Sequence, residues 1–599
     1  MGSLDYINTI INEAIGLGIY DVTINLQGYT DTPGTTEVID LPPLLEKITF
    51  SSNNPDIEYG FRIVARELRT KNLTVSLNNV NMNSDKSLAI DLRGLANPIP
   101  AYKNIISFSG RNKVVSNDSI GIAVTNYQTI EITGVDSAST LNVNGGIRNP
   151  AIGNSEVINF GGHLIFSGEG VVNAVGGDGA PPNDPGLETA IDGAYGIGFA
   201  QNTIGSSSII IRCNIAVNTI GGNGQSCDTG NSNSKTAGNG GSGISLGTGG
   251  TLLVEKCINT VIRLTAEGGD GGAVNDTPPG GSMTDIRTGG NGGDAVTAVS
   301  GIVDILGTAV LNGGDGTGVD ATNSNLPIAG GDGGSAISFT GNTRSSNTLI
   351  LGDNVKAVGG DGGNSGVALG ETFSIESSEG GNGGNVINLG QDPANVSIGS
   401  STLTSGDGGQ GGSPKAYVDS GEVDIGALKG FPGADQPGSG GSNGSNIIGS
   451  GITNITTSPD IQLNQGITGD GGVGIDNDGN EVQGEAGTPA KEIDLLVKST
   501  PHFGYINIGA IMDFSQYNNA VLYARQTADA PCHYAPIVIN NLNIMQTFNN
   551  CLNIENVNLQ PYYDISTPDL LYGSAGIDLI ISSIVTAYVN KGIPVVSEE

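Results

Sequence analysis

Seven aspartate or asparagine residues lie at the centres of glycine clusters, and their side-chain oxygens are groups that could hold a cation. They are Asp178, Asn223, Asp270, Asp315, Asp361, Asp407 and Asp470. Carboxylate and amide oxygens are the ligands that calcium prefers. Asp and Asn are also the residues that turns favour, and a stacked row of aspartates would repel itself unless it were solvated or bridged by cations. We therefore interpret these residues as turn residues and keep metal binding as the alternative.

One segment matches a calcium-binding motif. Residues 289–297, GGNGGDAVT, fit the GGxGxDxUx nonapeptide, with Asp294 as the ligand. Calcium would lie between consecutive nonapeptides, but here the clusters are not in tandem. Ser335 and Asn385 take the place of Asp294 in the next two units. Asp294 is therefore interpreted as a turn residue too, and calcium at Asp294 is the one cofactor that the sequence leaves open.

The sequence supports a catalytic function less than it supports a non-enzymatic one. A glycan hydrolase needs a pair of carboxylates in a groove, and the 59 Asp and Glu residues leave that open. The chain has no Trp and only 5% aromatic residues, whereas sugar-binding grooves usually use aromatic side chains. The sequence contains no nucleophile motif, phosphate loop or dinucleotide fingerprint. These observations favour a protein that is not an enzyme, with a β-helical polysaccharide-degrading enzyme as the alternative.

The glycine clusters recur with a near-constant period. Their central residues are 45 to 47 residues apart, except for a last step of 63. Such a period indicates stacked repeats that bury their apolar faces against their neighbours. A second set of clusters alternates with the first, centred on Asn239, Asn291, Asp332, Asn382 and Asn443. The half-unit from second cluster to first contains the strands, and the other half is polar and variable. We interpret this polar half as an arm that leaves the repeat through one cluster and returns through the other.

Glycine would allow arms on adjacent coils to lie about 4.8 Å apart, the spacing of strands in a sheet. It would also allow an extended, polyproline-II-like path, whose N–H and C=O groups must pair with neighbouring arms. The structural glycines of three clusters are Gly268, Gly269, Gly271, Gly272, Gly289, Gly290, Gly292, Gly293, Gly359, Gly360, Gly362 and Gly363.

The rest of the chain predicts the remaining architecture. Residues 1–18 predict a capping helix, with Ser3 as N-cap and Leu4, Ile7, Ile11, Ala14 and Ile15 on one face. Residues 19–170 are short β-rich runs closed by Asn, Gly or Asp, as in a parallel β-helix. Residues 171–494 are coils with arms, and 495–599 form a separate C-terminal domain or cap with a terminal helix. The predicted fold is all-β: a right-handed parallel β-helix with stacked, polyglycine-II-like arms and a smaller C-terminal mixed α/β domain.

The charge and the cysteine content limit the binding partners and the cellular locations that we expect for the protein. The net charge of −35 argues against nucleic acid and anionic membrane surfaces. The sequence has no basic-then-apolar signal peptide and no apolar stretch long enough to insert into a membrane. The five cysteines form no CxxC motif and are expected to be buried free thiols. These features predict an intracellular protein, or one released by another route such as assembly into a virus particle.

The alternation of glycine clusters with variable polar segments over about 170–490 resembles the tip adhesins of T-even-type phages. In that family glycine-rich motifs stack as polyglycine-II helices, and variable loops select the host receptor. The long β-helical N-terminal part and the aromatic C-terminal part depart from it and look more like phage tailspikes and fibres. The resemblance implies a tail-fibre or tailspike-type adhesin on the virion surface or tail, or otherwise at an extracellular surface. Its partners would be a cell-surface receptor or glycan and other virion proteins.

Under this hypothesis, bulky residues in the arms make the receptor contacts, because no solenoid core is there for them to fill. The alternative is that they pack arm against arm. The candidates are Met283, Ile286, Arg287, Phe373, Tyr417 and Phe431. A structural surface or matrix protein without a specific ligand is the third functional hypothesis, and the sequence leaves homo-oligomerisation open.

Overall fold

The computed structural model describes most of residues 2–495 and three strands beyond them. The gaps are 4–5, 28, 31–35, 66–70, 86, 93–102, 125–127, 155–160, 181–189, 204–206, 229–235, 258–260, 276–286, 319–327, 342–346, 367–377, 414–415, 419–420, 424–433, 452, 459 and 492. After residue 495, only Ile506–Asn507, Val521–Arg525 and Tyr534–Val538 are described.

The described chain winds through three long parallel sheets, which we call A, B and C. Each full coil contributes one strand to sheet A, then one to sheet B, then one to sheet C, and every strand pairs with its counterparts in the adjacent coils. This arrangement is a β-solenoid, as the short β-rich runs and the glycine period predict.

Sheet A runs through thirteen described strands. They are Asp21–Asn25, Lys47–Ser51, Leu73–Asn78, Lys103–Ser109, Thr129–Gly134, His163–Gly168, Ser208–Ile211, Gly250–Val254, Gly301–Ile305, Asn347–Leu351, Ala394–Ile398, Thr453–Thr457 and Ile506–Asn507. Sheet B has eleven described strands. They are Glu58–Tyr59, Asn81–Ser84, Arg111–Ser116, Thr140–Asn144, Gly170–Val175, Ile215–Ile220, Leu264–Glu267, Ala309–Asn312, Val355–Val358, Thr402–Thr404 and Gln462–Asn464.

Sheet C has twelve described strands, most of them short. They are Glu37–Asp40, Phe61–Val64, Ile90–Asp91, Ile122–Ala123, Ile152–Gly153, Ile197–Gly198, Ile244–Leu246, Val296–Ala298, Ile337–Phe339, Ile387–Asn388, Ile447–Gly449 and Ile493–Leu495. The other described strands form two-stranded pairs. They are Gly2–Ser3 with Tyr29–Thr30, Cys227–Asp228 with Val274–Asn275, Arg287–Thr288 with Ile328–Ala329, Ala416–Val418 with Gly421–Val423, Val473–Ile475 with Glu481–Gln483, and Val521–Arg525 with Tyr534–Val538.

Alternating burial along the strands builds one continuous core. In Lys103–Ser109 every second residue is buried, because successive side chains point to opposite faces of a sheet. Ile106 and Phe108 point inward and are fully buried, and their counterparts in the neighbouring coils join the same apolar cluster. Stacking therefore buries apolar area that no coil could bury alone.

The N-terminal helix covers the first coil, as predicted, but it starts later than expected. It spans Tyr6–Gly16 and buries Ile7 and Ile11 in the main core. The side-chain amide of Asn8 donates to the carbonyl of Val38 (2.7 Å) and its oxygen accepts from the N–H of Asp40 (2.9 Å). These bonds satisfy the edge strand of sheet C.

The prediction that Ser3 caps this helix is wrong. Ser3 lies in a short strand that pairs with Tyr29–Thr30, so it is extended backbone three residues before the first helical residue. Leu4, placed on the apolar face, lies outside the described residues.

The expectation of buried free thiols fails for two cysteines. Cys213 and Cys257 form a disulfide with a Cα–Cα distance of 5.6 Å, and both residues are only partly buried. Each cysteine follows a strand of sheet A, and the two strands belong to successive coils. Stacking of these coils brings the two side chains together. The spacing of 44 residues, close to one repeat, was the sequence signal for this pairing.

Removal of this disulfide should destabilise the coils that it joins. Replacing both Cys213 and Cys257 with serine frees a loop of 44 residues in the unfolded chain, which costs about 4 kcal/mol of unfolding free energy. Urea unfolding measures the loss. Dithiothreitol should reproduce it in the wild-type protein and leave the double variant unchanged, and a wild-type midpoint insensitive to reductant would contradict the pairing.

The predicted C-terminal domain and its terminal helix lie almost entirely outside the described residues. Within the described part, no helix is long and apolar enough to cross a membrane.

Candidate functional site

The predicted arms leave and rejoin the solenoid at fixed places. From residue 176 onward, each strand of sheet B is followed by a glycine segment that leaves the coil, and each strand of sheet C is preceded by one that returns. We call these exit and return segments, and all of them together the glycine block. The exit segments are 176–180, 221–226, 268–273, 313–318, 359–366, 405–413 and 465–472. The return segments are 190–195, 237–242, 289–294, 330–335, 378–385, 436–445 and 484–491.

Hydrogen bonds connect each exit segment to its neighbours with a three-residue repeat. Gly268 and Gly271 donate to the next coil, at Asn312 (2.9 Å), the last residue of its sheet B strand, and at Asp315 (3.0 Å) of its exit segment. Gly269 and Gly272 donate instead to carbonyls of the previous coil's return segment, both at 2.7 Å. The backbone amides at these four positions therefore all have partners, without strand pairing.

Return segments repeat the same pattern. Gly290 and Gly293 donate to the exit segment of their own coil, at 3.0 and 2.7 Å, and Gly292 donates to Asp332 of the next return segment at 2.8 Å. Each segment is thus bonded both along the stack and across it. A period of three with bonds in more than one direction is what side-by-side polyproline-II-like chains need, since they make no internal hydrogen bonds.

The glycines of the block leave no room for a side chain. A Cβ built on Gly271 would lie 1.9 Å from the carbonyl oxygen of Gly290, and one on Gly292 would lie 1.8 Å from that of Gly314. The same holds for every structural glycine singled out from the sequence, where a built Cβ lies within 2.4 Å of a backbone atom of another segment. Close approach of backbones, rather than positive φ, is therefore the reason for glycine at these positions.

The central Asp and Asn residues of the exit segments form a hydrogen-bonded ladder on the exposed face of the block. The Oδ1 atom of each accepts the backbone N–H of its counterpart in the next coil. The N–H to Oδ1 distances are 2.8 Å for Asn223 to Asp178, 2.9 Å for Asp270 to Asn223, 3.0 Å for Asp315 to Asp270, 2.9 Å for Asp361 to Asp315, and 2.9 Å for Asp407 to Asp361. Glycine could not supply this acceptor, so the ladder explains why a residue with a short side-chain oxygen interrupts each glycine run.

The return segments carry a second ladder of the same kind. Asn239 donates to Asp192 (2.7 Å), Asn291 to Asn239 (2.9 Å), Asp332 to Asn291 (2.8 Å) and Asn382 to Asp332 (2.7 Å). Because both Asn and Asp occur in each ladder, the required group is a side-chain carbonyl oxygen. The prediction that the central residues of the clusters serve only as turn residues does not include this pairing across coils.

Two members assigned from the sequence do not belong to the ladders. The N–H that reaches Asp407 is that of Ile467, at 2.6 Å, and Asp470 lies one triplet further out. The N–H that reaches Asn382 is that of Ser442, at 3.0 Å, not that of Asn443. The backbone register, and not the similarity of the clusters, decides the partners. It replaces the step of 63 with one of 60, which is the same in both ladders.

Asp294 lies where the third return segment rejoins sheet C. Its Oδ2 accepts the Thr297 hydroxyl and its Oδ1 accepts the Ser335 N–H, both at 2.7 Å. Burial raises the pKa of Asp294 above its ordinary range, although hydrogen bonds from Thr297, Ser335 and Ser338 act in the opposite direction. These neighbours are donors, whereas calcium needs further oxygen acceptors. The described residues contain no group of three or more His, Cys, Asp or Glu that could hold a metal, and calcium at Asp294 stays a prediction.

The like charges in the exit ladder should cost stability at neutral pH. Burial raises the pKa of Asp315, and the charges of Asp361 and Asp270 raise it further, against a hydrogen bond from the Asp361 N–H. A raised folded-state pKa means that the folded protein binds the proton more tightly than the unfolded chain. The ionised group is therefore destabilising above that pKa, and the cost disappears as pH falls through it to the ordinary 3.8.

Asp315→Asn should consequently stabilise the protein at pH 7 by about 0.5 kcal/mol, the scale of an exposed charge interaction. The amide keeps the Oδ1 acceptor, as Asn223 does in the same ladder. The gain should shrink in urea unfolding as pH is lowered towards 4. Asp178→Asn is the matched control, because its ladder neighbour is the uncharged Asn223. Equal effects at both sites, or a gain that grows on acidification, would contradict this electrostatic account.

The predicted receptor-contact residues are only partly placed. Met283, Ile286, Phe373 and Phe431 lie outside the described residues. The backbone of Arg287 pairs with Ile328 of the next arm, and that of Tyr417 lies opposite Glu422 in a hairpin. Arg287 and Tyr417 therefore belong to different arms.

The sequence analysis missed a small apolar cluster at the outer ends of the glycine segments. Ala190, Ala237, Val274 and Ile328 are buried together and come from four successive arms. Short apolar residues directly beyond each glycine run were the available signal. This cluster and the parallel pairing of Cys227–Asp228 with Val274–Asn275 keep neighbouring arms in register beyond the glycines.

Comparisons with known proteins add no relative to this description. No protein family, curated protein or solved structure matches the chain.

Proposed function

We propose that this protein is a non-enzymatic surface or tail-fibre component of a virus or phage, which displays variable segments for receptor binding or virion attachment. In this proposal the solenoid is a right-handed parallel β-helix, and the glycine block is a lattice of polyglycine-II-like chains. The variable segments between exit and return segments would make the contacts with a cell-surface receptor or glycan.

The observation that carries the proposal is the bonding of the glycine block. Successive arms are joined both along the stack and across it, so the chain is ordered up to the points where the variable segments begin. The glycines of the block leave no space for side chains, so the block brings the backbones of neighbouring arms into direct contact. It fixes the separation of neighbouring variable segments at about one strand spacing, which suits a contact surface assembled from several arms.

Two further features agree with a location outside the cytosol. The disulfide between Cys213 and Cys257 is of a kind that persists in oxidising surroundings. The net charge of −35 favours solubility and keeps copies of the protein apart.

Replacement of the variable segments tests the proposal. Residues 276–286 and 367–377 are exchanged for foreign sequences of equal length, which leaves every described residue of the block unchanged. We expect binding to host cells to fall at least about tenfold, the effect of losing about 1.4 kcal/mol of contact energy. Exchange of residues 342–346 is the control and should leave binding unchanged. In the sequence these residues separate the sheet C strand Ile337–Phe339 from the sheet A strand Asn347–Leu351 and belong to no arm.

Unchanged host binding after both arm exchanges would overturn the proposed role of the arms. Incubation with host surface glycan provides a separate test, since release of shortened product would show that the protein is an enzyme.

A further inference from the structure

A cavity of about 800 Å³ lies beside the return segment of the first arm. Its walls are the turn 147–150, the first return segment and the outer face of sheet C. The coil before the first arm has no arm of its own. The first return segment therefore has a neighbouring return segment only in the coil that follows it. Asn239, Asn291, Asp332 and Asn382 each donate their N–H to a side chain of the preceding return segment. Asp192 is the first described member of this ladder, and its Oδ1 accepts the N–H of Asn239.

Arg148 is the unusual residue in the wall of this cavity. It has a φ of +61°, a left-handed conformation that side chains other than Asn and Asp rarely adopt. The other non-glycine residues of positive φ in the described chain are all asparagine: Asn79, Asn214 and Asn354. The turn would thus accept asparagine with less strain. Backbone strain of this kind collects at functional sites, where the side chain has a use of its own.

The remaining groups of the cavity are polar, aromatic or apolar, and they include one carboxylate, that of Asp192. Tyr195 lines it, and its hydroxyl donates to the backbone carbonyl of Asn154, which fixes the ring. Asn149 and Gln201 add amide groups to the walls. A held aromatic ring, several amides and one guanidinium suit a ligand with sugar rings, hydroxyls and a carboxylate, because guanidinium pairs with carboxylate in a bidentate manner.

We infer that this cavity binds a carboxylate-bearing saccharide, with Arg148 on the carboxylate and Tyr195 against a sugar ring. Peptide addition to a sheet edge does not fit, because the strands of sheet C beside the cavity are already paired on both sides. The inference rests on the proposed function only in assuming that the protein meets cell-surface glycans. It adds a ligand site on the solenoid itself, separate from the variable segments.

Calorimetric titration with tetragalacturonate tests the inference, with maltotetraose as the neutral probe of equal length. Wild-type protein should bind tetragalacturonate saturably and more tightly than maltotetraose. Arg148→Asn keeps the left-handed turn and removes the guanidinium. It should leave the melting temperature unchanged and weaken tetragalacturonate binding about tenfold or more, as expected for loss of a charged hydrogen-bond donor. Arg111→Asn, which removes an exposed cation on sheet B, is the control and should bind like wild type.

Absence of saturable binding to wild-type protein, or equal binding by wild type and Arg148→Asn, would overturn the inference. The arm-exchange variants separate this outcome from failure of the proposed function. They should bind tetragalacturonate normally even though they no longer bind host cells, because the exchanges leave Arg148, Tyr195 and the other named residues of the cavity walls unchanged.

Discussion

Alanine at Gly271 or Gly292 is expected to disrupt the glycine block and to lower the free energy of unfolding by about 3 kcal/mol at either site. The new methyl group would lie 1.9 or 1.8 Å from a backbone carbonyl oxygen of another segment. A flexible side chain could move aside, but a backbone oxygen within a bonded lattice cannot move without breaking its neighbours' hydrogen bonds. The damage should therefore spread to the adjacent arms.

Urea unfolding measures the loss for each variant, and limited proteolysis shows where the chain opens. Cleavage should begin within the arms while the strands of sheets A, B and C stay intact. Gly16→Ala is the matched control, since a Cβ at that helix end meets nothing within 4 Å. Its stability should match that of wild type. If Gly271→Ala and Gly292→Ala were as stable as Gly16→Ala, the close packing of the block would be wrong.

Phe108→Ala is expected to cost about 4 kcal/mol, the largest single effect in the solenoid core. Phe108 is fully buried on the inner face of sheet A. Its counterpart in the next coil is Gly134, and a Cβ built there would lie 2.9 Å from the ring. The ring thus fills space that the next coil leaves empty, and alanine would leave a cavity spanning two coils.

Thermal and urea unfolding measure this loss of stability, and two further variants are compared with it. Phe108→Leu keeps most of the volume and should cost about 1.5 kcal/mol or less. Val135→Ala changes an exposed side chain close by in sequence and should stay within about 0.5 kcal/mol of wild type. Equal stabilities for Phe108→Ala and Val135→Ala would contradict a continuous core across these coils.

Much of this architecture is predictable from the sequence because each repeat must satisfy the same physical demands. Alternating apolar residues predict the strands, and glycine clusters at a near-constant period predict arms that leave and return. The side-chain oxygen at the centre of each cluster is needed by the next coil rather than by its own turn. That requirement cannot be seen within one unit, so the sequence pattern predicts only turn residues at Asp270 and Asp315.

The errors in register and pairing have the same origin. Asp470 and Asn443 resemble ladder members in their local glycine surroundings, but the hydrogen bonds select Ile467 and Ser442 instead. Cys213 and Cys257 are unrelated by any short motif and meet only because one coil separates them. Contacts between coils depend on the number of residues in each arm, and the sequence alone does not say how insertions divide between exit segment, variable segment and return segment.

Amide hydrogen exchange of the glycine segments tests the central claim most directly, namely that bonded glycine segments hold the arms in register. Residues 268–272 and 289–293 are the segments to follow, with the sheet A strand Gly301–Ile305 as the internal reference. We predict that the glycine amides are protected to within about tenfold of the strand amides, because each donates a hydrogen bond to a neighbouring segment or strand. Exchange of the glycine amides at the rate of an unstructured peptide, with the strand still protected, would contradict the account.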